Sequence, residues 1–368
     1  MRRVFKVWLR FSILALLFPA GSAKAIDWDH WNQIYPRPTS QGLRDVTSDG
    51  TNWVAVGTAG TVLVSPDATH WAQAVVAPPV SISLNGVTAA AGRWVAVGGR
   101  GTILSSDNAA NWINVSPATT TESFEAVAYG GDRFLAVGAY GLVASSTNGV
   151  DWKVEVAPNS FQPSLAGIAY GNGVFVAGGL GTLQTSYDGV TWTPQSFQPQ
   201  HDIHAVWFDG ARFIAGRIFG VVFTSTDGTN WVSPGGLSAS YINKFTKLGN
   251  TWYAAAGNIY SSSDLTNWTF IDTGAYSSSS AGGISAASAL NGTMVIVGEA
   301  GNVLNSRDGT NYVQLRAGRP LPLSHVRMQA THNRYHTSEP EFVAVLDGAL
   351  SSIVRRPAQI QGYLNPFI

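Results

Sequence analysis

The chain has 368 residues, and its 22 Lys and Arg balance 22 Asp and Glu, so its formal net charge is zero. This balance argues against nucleic acid or an anionic membrane surface as a partner, because both attract basic proteins. The chain contains no cysteine, which excludes disulfides, thiolate metal sites and a cysteine nucleophile. The chain contains 40 Gly and 13 Trp, and 45% of its residues are hydrophobic. This composition favours many short strands joined by tight turns.

The first 25 residues differ from the rest of the chain. Basic residues at the start precede an apolar stretch from Phe11 to Ala20, and Ala23 to Ala25 has the small-x-small form of a cleavage site. The stretch is about half as long as the roughly 20 residues of a spanning helix. We therefore predict a signal peptide over residues 1–25, cleaved after Ala25, and a periplasmic or secreted mature protein without a membrane anchor.

A short polar turn recurs along the mature chain, and its clearest copy runs from Ser225 to Trp231 with the sequence Ser-Thr-Asp-Gly-Thr-Asn-Trp. Each copy follows an apolar run and predicts a hairpin turn with a side-chain cap and a position of positive φ. The aromatic residues that end successive copies lie 37 to 44 positions apart, near the roughly 40 to 45 residues of a propeller blade. The predicted turn residues are Asp67, Asp107, Asn148, Asp188, Asp227, Asp264 and Asp308.

Four short strands fill each repeat, which predicts an all-β fold: a β-propeller of four-stranded antiparallel blades. The last repeat lacks the turn, whereas residues 27–34 carry Trp31 in the place of a missing outer strand. We therefore predict eight blades in one domain, 26–368, with the ring closed by strand 27–34 joining the C-terminal blade. The alternative is a seven-bladed ring with the tail outside it. The predicted blades span about 43–75, 84–115, 124–156, 165–195, 203–233, 241–271, 284–315 and 325–355.

The Ser-x-Asp-Gly-x-x-Trp turn resembles the Asp-box, or BNR-type, turn of sialidases, sortilin-type receptors and the photosystem II assembly and stability factor. The resemblance covers nearly all of residues 27–354, although the repeat lacks the residue that commonly separates Asp from Gly. In that family the turn is structural and peripheral, which implies that its aspartates stabilise blades. The resemblance to the assembly factor implies an exported, monomeric, non-catalytic binding or assembly module with a protein or glycan partner and no cofactor.

The connection between the second and third strands of each repeat varies in sequence. In a propeller these loops surround one mouth of the central channel. They therefore supply the candidate binding residues, although the same residues are also typical of plain solvated loops. The candidates are Arg100, Tyr140, Arg217, Phe219, Glu299 and Asp347.

A glycoside hydrolase similar to sialidases is the alternative function. Such an enzyme needs two carboxylates at a defined separation, and a sialidase also needs an arginine cluster. This alternative predicts that Glu299 or Asp347 lies near a second carboxylate and an arginine at the channel mouth. No catalytic residue is assigned. The histidines His325, His332 and His336 belong to a segment that reads as a lengthened hairpin, so no metal site is predicted.

Overall fold

The computed structural model describes residues 38–195, 202–271, 273 and 283–309, and the strands at 313–314, 326–331, 341–346 and 349–354. Within these residues the fold is an all-β propeller of seven four-stranded antiparallel blades. The predicted signal peptide and the predicted strand at 27–34 lie outside the described residues. No helix in the described ranges has the length and apolar character to cross a lipid bilayer.

The first three blades occupy the N-terminal part of the ring. Blade 1 contains β1 (Leu43–Ser48), β2 (Trp53–Gly57), β3 (Val62–Ser65) and β4 (Ala72–Gln73). The next strand, β5 (Val75–Ala77), pairs in parallel with the outer strand of blade 2. Blade 2 contains β6 (Leu84–Ala90), β7 (Arg93–Gly98), β8 (Ile103–Ser106) and β9 (Asn111–Asn114). Blade 3 contains β10 (Phe124–Gly130), β11 (Arg133–Gly138), β12 (Val143–Ser146) and β13 (Lys153–Val156).

The remaining strands continue the same pattern. Blade 4 contains β14 (Leu165–Gly171), β15 (Val174–Gly179), β16 (Thr182–Ser186) and β17 (Thr193–Pro194). Blade 5 contains β18 (Ile203–Phe208), β19 (Phe213–Arg217), β20 (Val221–Ser225) and β21 (Val232–Gly236). Blade 6 contains β22 (Lys244–Leu248), β23 (Thr251–Ala255), β24 (Ile259–Ser262) and β25 (Thr269–Ile271). Blade 7 contains β26 (Ile284–Leu290), β27 (Thr293–Gly298), β28 (Val303–Ser306) and β29 (Val313–Gln314).

Apolar side chains fill the spaces between neighbouring blades. The second strand of a blade has a neighbour on each face, so its apolar residues do not alternate with polar ones. Every residue of Trp53–Gly57 is buried, and Arg133–Gly138 is buried after its first residue. Each fully buried Val or Leu contributes roughly 1.5–3 kcal/mol relative to exposure, so the ring is held by many such contacts.

The expectation of eight blades is wrong, because blade 1 packs directly on blade 7. Leu43 and Val46 share one apolar cluster with Val295, Val297 and Val303. On the same side a Cβ placed on Gly301 would lie 2.0 Å from the carbonyl oxygen of Thr39, which leaves no space for another sheet between these blades.

Within the described residues, the C-terminal repeat forms a three-stranded sheet. Its strands are β30 (Val326–Thr331), β31 (Glu341–Leu346) and β32 (Ala349–Val354), paired in that order. The sequence of this segment has strands of blade length but no polar turn with a following aromatic residue. The missing turn was therefore the more informative signal, and the blade count of the seven-bladed alternative is confirmed.

In every copy of the recurring polar turn the serine Oγ donates to the side-chain oxygen two residues later, and the fifth copy shows the complete set of bonds. Ser225 Oγ donates to Asp227 Oδ1 over 2.9 Å, and Gly228 N donates to Ser225 Oγ over 2.9 Å. Asp227 Oδ1 also accepts the N–H groups of Thr229 and Asn230, each at 2.8 Å. The backbone N–H of Asn230, its side-chain amide and the N–H of Thr229 hold the pKa of Asp227 well below its ordinary value.

The second copy of the turn corrects one predicted residue. Asn108, and not Asp107, accepts the N–H groups of Ala110 and Asn111, at 3.0 and 2.8 Å. The acceptor must stand two residues after the serine, and Asp107 stands one residue after Ser106. Asn148 is the acceptor in the third blade, so a neutral amide oxygen serves as well as a carboxylate.

Each turn also fastens its blade to the preceding one. The residue after the acceptor has positive φ, 79° at Gly228 and 63° at Leu265. A Cβ on Gly228 would lie 2.8 Å from Val176 Cγ2 of blade 4. Arg133 of blade 3 donates through Nη1 to the carbonyl oxygen of Asp188 in blade 4 over 3.0 Å. The turns therefore act across the boundaries between blades.

Replacing Asp227 with Ala removes the acceptor from one turn. We expect the free energy of unfolding near neutral pH to fall by about 1 kcal/mol, as measured by urea denaturation. Because the folded-state pKa of Asp227 is depressed, its contribution is complete above about pH 4 and is lost as the pH falls further. The difference between Asp227→Ala and the wild type should therefore be smaller near pH 2.

The variant Asp107→Ala is the matched control, because it makes the same chemical change at an exposed aspartate beside an acceptor. It should change the unfolding free energy by less than about 0.5 kcal/mol. An equal loss in both variants would contradict the assignment of Asn108 as the acceptor.

Candidate functional site

Two kinds of connection meet on one face of the ring, which we call the upper face. The connection between the second and third strands of a blade bonds to the residue that precedes its first strand. Thr58 N donates to Gly42 O over 2.8 Å, and Ala139 N donates to Ser123 O over 2.9 Å. The upper face therefore carries these connections and the segments that lead into each first strand.

Close backbone packing explains the glycine that ends most second strands. A Cβ on Gly57, Gly98 or Gly138 would lie 2.0–2.2 Å from the carbonyl oxygen of the segment leading into the first strand. No side chain fits at that distance, so glycine allows the two connections to pack together. Arg217 takes this position in blade 5.

Five of the connections are short turns with an unusual central residue. They span Thr58–Gly60, Gly99–Gly101, Ala139–Gly141, Ile218–Gly220 and Glu299–Gly301. In each the central residue has left-handed backbone with φ between 53° and 64°, which costs a residue other than glycine roughly 1–2 kcal/mol. These tip residues are Ala59, Arg100, Tyr140, Phe219 and Ala300.

The structure places the candidate binding residues differently along these turns. Arg100, Tyr140 and Phe219 occupy the tip and are exposed. Glu299 stands one residue before a tip. Arg217 ends β19 and is half-buried, and its Nε donates to Ile218 O over 3.4 Å. Asp347 lies outside the described residues.

Exposed apolar side chains follow the upper face from blade 3 to the start of blade 6, and we call them the apolar arc. Two backbone bonds fix its ends: Asn159 N donates to Tyr140 O over 2.9 Å, and Phe219 N donates to Ser240 O over 2.8 Å. The arc consists of Tyr140 (45% exposed), Phe161 (93%), Leu180 (54%), Phe219 (65%) and Tyr241 (55%).

A central cavity of about 580 Å³ is lined by the first strands of all seven blades. Six of these strands have a bulge near their start, as between Leu43 and Asp45 in β1. Two successive residues of a bulged strand then line the cavity. The outer residues of these pairs, with Asn243 of the unbulged blade 6, form the channel mouth: Arg44, Asn85, Glu125, Ala166, His204, Asn243 and Ser285.

A hydrogen-bonded chain of polar side chains crosses three blades at the channel mouth. Arg44 donates to Asn85 Oδ1, and Asn85 Nδ2 donates to Glu125 Oε2 over 3.0 Å and to Phe124 O over 2.9 Å. Burial raises the pKa of Glu125, and the nearby positive charge of Arg44 opposes this effect.

An ion pair lies one residue deeper in the channel. Asp45 of blade 1 pairs with Lys244 of blade 6 across the small Ala286 of blade 7. The Asp45 carboxylate also accepts the N–H groups of Val46, at 2.8 Å, and Val87, at 3.0 Å. These contacts commit both carboxylate oxygens of Asp45 to holding blades 1, 2 and 6 together.

The sequence prediction missed most of the channel mouth. Six first strands begin with two apolar residues three positions apart, such as Leu43 and Val46, or Phe124 and Val127, where a regular strand would show a spacing of two. This spacing indicates a bulge. It could have identified the two residues between the apolar positions as residues that line the channel. His204 lies here, and its ring is edge-on to Tyr241 with centroids 5.7 Å apart.

The glycosidase alternative predicts two carboxylates and an arginine close together at the channel mouth, and the structure shows only part of this arrangement. Arg44 and Glu125 converge in the cavity, but Glu299 is absent from its lining. The second carboxylate in the lining is Asp45, whose oxygens are already committed. Within the described part of the chain, no group of three or more His, Asp or Glu residues is placed to hold a metal ion.

Comparison with known proteins identifies a fold but no family. The chain matches no protein-family model, and no curated protein matches it. YCF48 from Cyanidioschyzon merolae is 19% identical with a TM-score of 0.57, over 73% of this chain and 97% of that chain. A structure of YCF48 bound to D1 peptide is 19% identical with a TM-score of 0.56, over 74% and 94%. Virginiamycin B lyase from Staphylococcus aureus is 11% identical with a TM-score of 0.60, over 72% and 94%. At these identities the similarity shows the propeller fold alone.

Replacing Tyr140 with Gly tests whether its side chain stabilises the fold by packing or is only exposed at the tip of the turn. Glycine removes the strain of the left-handed backbone but loosens the unfolded chain, so the unfolding free energy should stay within about 1 kcal/mol of the wild type. The control Gly138→Ala adds a methyl group against the backbone of Ser123 and should cost about 2 kcal/mol or more. Thermal and urea denaturation measure both effects. A loss of that size in Tyr140→Gly would show that Tyr140 is a packing residue.

Proposed function

We propose that the chain is an exported, non-catalytic module that binds a protein partner through the apolar arc of its upper face. The arc is the observation that carries this proposal. Five exposed apolar side chains on one face of the ring supply the kind of surface that interaction sites use, and aromatic residues are enriched in protein interfaces. The neighbouring polar residues, such as Arg100, supply the rim.

The geometry of the tips supports the same function. Tyr140 and Phe219 keep a strained backbone that a glycine would relieve, while they remain 45% and 65% exposed. Strain of this kind is concentrated at binding and catalytic sites. A rigid ring also holds the arc in one arrangement before binding, which lowers the entropic cost of association.

The comparisons and the turns support the proposal by analogy. One similar structure is YCF48 bound to D1 peptide, so a propeller of this kind does bind a polypeptide. We assign the recurring Ser-x-Asp turns to the Asp-box type and give them a purely structural role. Their bonds to neighbouring blades support this assignment, and so does the neutral Asn148 in one of them.

Site-specific photo-crosslinking tests the proposed face. A photoreactive phenylalanine at Phe161 should give an adduct of defined mass in an extract of the host's export compartment. The same group at Tyr187 should give none, although Tyr187 is also an exposed aromatic residue, because it stands in the Ser186 turn on the opposite face.

Competition makes this experiment specific. Excess unlabelled wild type should suppress the Phe161 adduct, whereas the double variant Tyr140→Gly and Phe219→Gly should need about tenfold more protein for the same effect. Equal adducts from both positions, or equal competition by the variant, would refute binding through the arc. Turnover of a sialoside or glycoside panel by the purified protein would instead favour the glycosidase alternative.

Export is part of the proposal and has its own measurement. N-terminal sequencing of the protein isolated from its producing cells should begin at Ile26, because cleavage is expected after Ala25. A mature protein that retains Met1 and the apolar stretch would contradict export through a cleavable leader.

A further inference from the structure

The central channel offers a second site that is separate from the apolar arc. Its cavity of about 580 Å³ falls within the range of small-molecule sites, roughly 300–1,000 Å³. Small residues such as Ala166, Gly167 and Ala286 line parts of the wall, and they leave space between the larger polar side chains of blades 1 to 3 and those of blades 5 and 6.

The charged side chains of the lining balance one another. Arg44 and Lys244 are cationic, and Asp45 and Glu125 are anionic. Each cation has an anionic neighbour, since Lys244 pairs with Asp45 and Arg44 connects to Glu125 through Asn85. A charged ligand would lose its hydration here without meeting a net opposite charge, so the cavity favours a neutral ligand.

Polar groups remain available around the mouth. The described residues provide no hydrogen-bond partner for the side chains of Asn243, His204 or Ser285. An amide and a hydroxyl each offer both a donor and an acceptor, and an imidazole adds two ring nitrogens that can take part in hydrogen bonds. A ligand group that pairs with these side chains must both donate and accept hydrogen bonds, and a hydroxyl group does both. Tyr241, edge-on to His204, adds an aromatic surface at this side.

We infer that the channel mouth is a binding site for a neutral saccharide. The Arg44–Asn85–Glu125 chain contacts one side of the sugar ring, and Asn243 and His204 contact the other. The Asp45–Lys244 pair lies one residue deeper, and the cavity lining continues past it to residues such as Tyr129 and Tyr170. This site is independent of the protein interface proposed for the apolar arc.

Matched ligands test the charge balance directly. The probes are methyl β-glucoside, methyl β-galactoside and methyl β-mannoside, each compared with its uronide, in which a carboxylate replaces the primary alcohol. Isothermal titration calorimetry near neutral pH should show binding of at least one neutral glycoside and weaker binding of its uronide. Stronger binding of the uronides, or no binding of any neutral glycoside at its solubility limit, would overturn the inference.

Two variants locate the site. Asn243→Ala should raise the dissociation constant of the neutral glycoside by about fivefold to tenfold, the size of one or more lost hydrogen bonds. Glu125→Gln leaves Arg44 without its countercharge and should shift the preference toward the uronide by a similar factor. Thermal denaturation confirms that both variants fold.

Tyr140→Gly is the control, because it alters the apolar arc and leaves the channel lining intact. It should bind the glycoside like the wild type while competing less well than the wild type for the protein partner, so failure of either site is distinguishable from failure of the other. Unchanged glycoside affinity in Asn243→Ala and Glu125→Gln would place the sugar elsewhere and refute the site. Binding of N-acetylglycinamide in preference to every glycoside would also refute it, in favour of a peptide group.

Discussion

Packing between neighbouring blades is the constraint on which the rest of this structure depends. A sheet of four short strands has two apolar faces, and neither is stable in water unless another sheet covers it. The ring satisfies this requirement for every blade at once, including the contact of Leu43 and Val46 with Val295. The Ser-x-Asp turns add directional bonds to this non-directional packing, because each places one residue against the preceding blade.

The same packing decides where sequence variation is tolerated. The lower part of each blade is occupied by turn residues that touch the preceding blade, such as Gly228 against Val176. The glycine at the end of the second strand is equally restricted by the carbonyl oxygen opposite it. Two residues after that glycine the chain projects into solvent, and there Ala59, Arg100 and Tyr140 replace one another at the same backbone conformation. Variable chemistry is thus concentrated on the upper face and in the channel.

Much of the fold could be predicted from the sequence, because the packing of each blade requires the same pattern of apolar and polar residues in every repeat. The buried second strands and the polar turns recur at the period of a blade, and both identify the propeller. The number of blades depended on a weaker feature, the incomplete C-terminal repeat. Strand-like residues such as Val326–Thr331 satisfy local preferences whether or not their sheet enters the ring. Only the contact between blades 1 and 7 distinguishes seven blades from eight.

The candidate sites were harder to predict because they depend on departures from regular geometry. A loop prediction could name Tyr140 and Phe219 but could not show that Arg217 replaces a strand-ending glycine and is half-buried. The channel mouth needed the bulge, which turns two successive residues of β1 inward. Blade 6 lacks that bulge, and its Lys244 reaches past Ala286 to Asp45. One irregular blade therefore supplies the cation that balances the charge of Asp45 inside the channel.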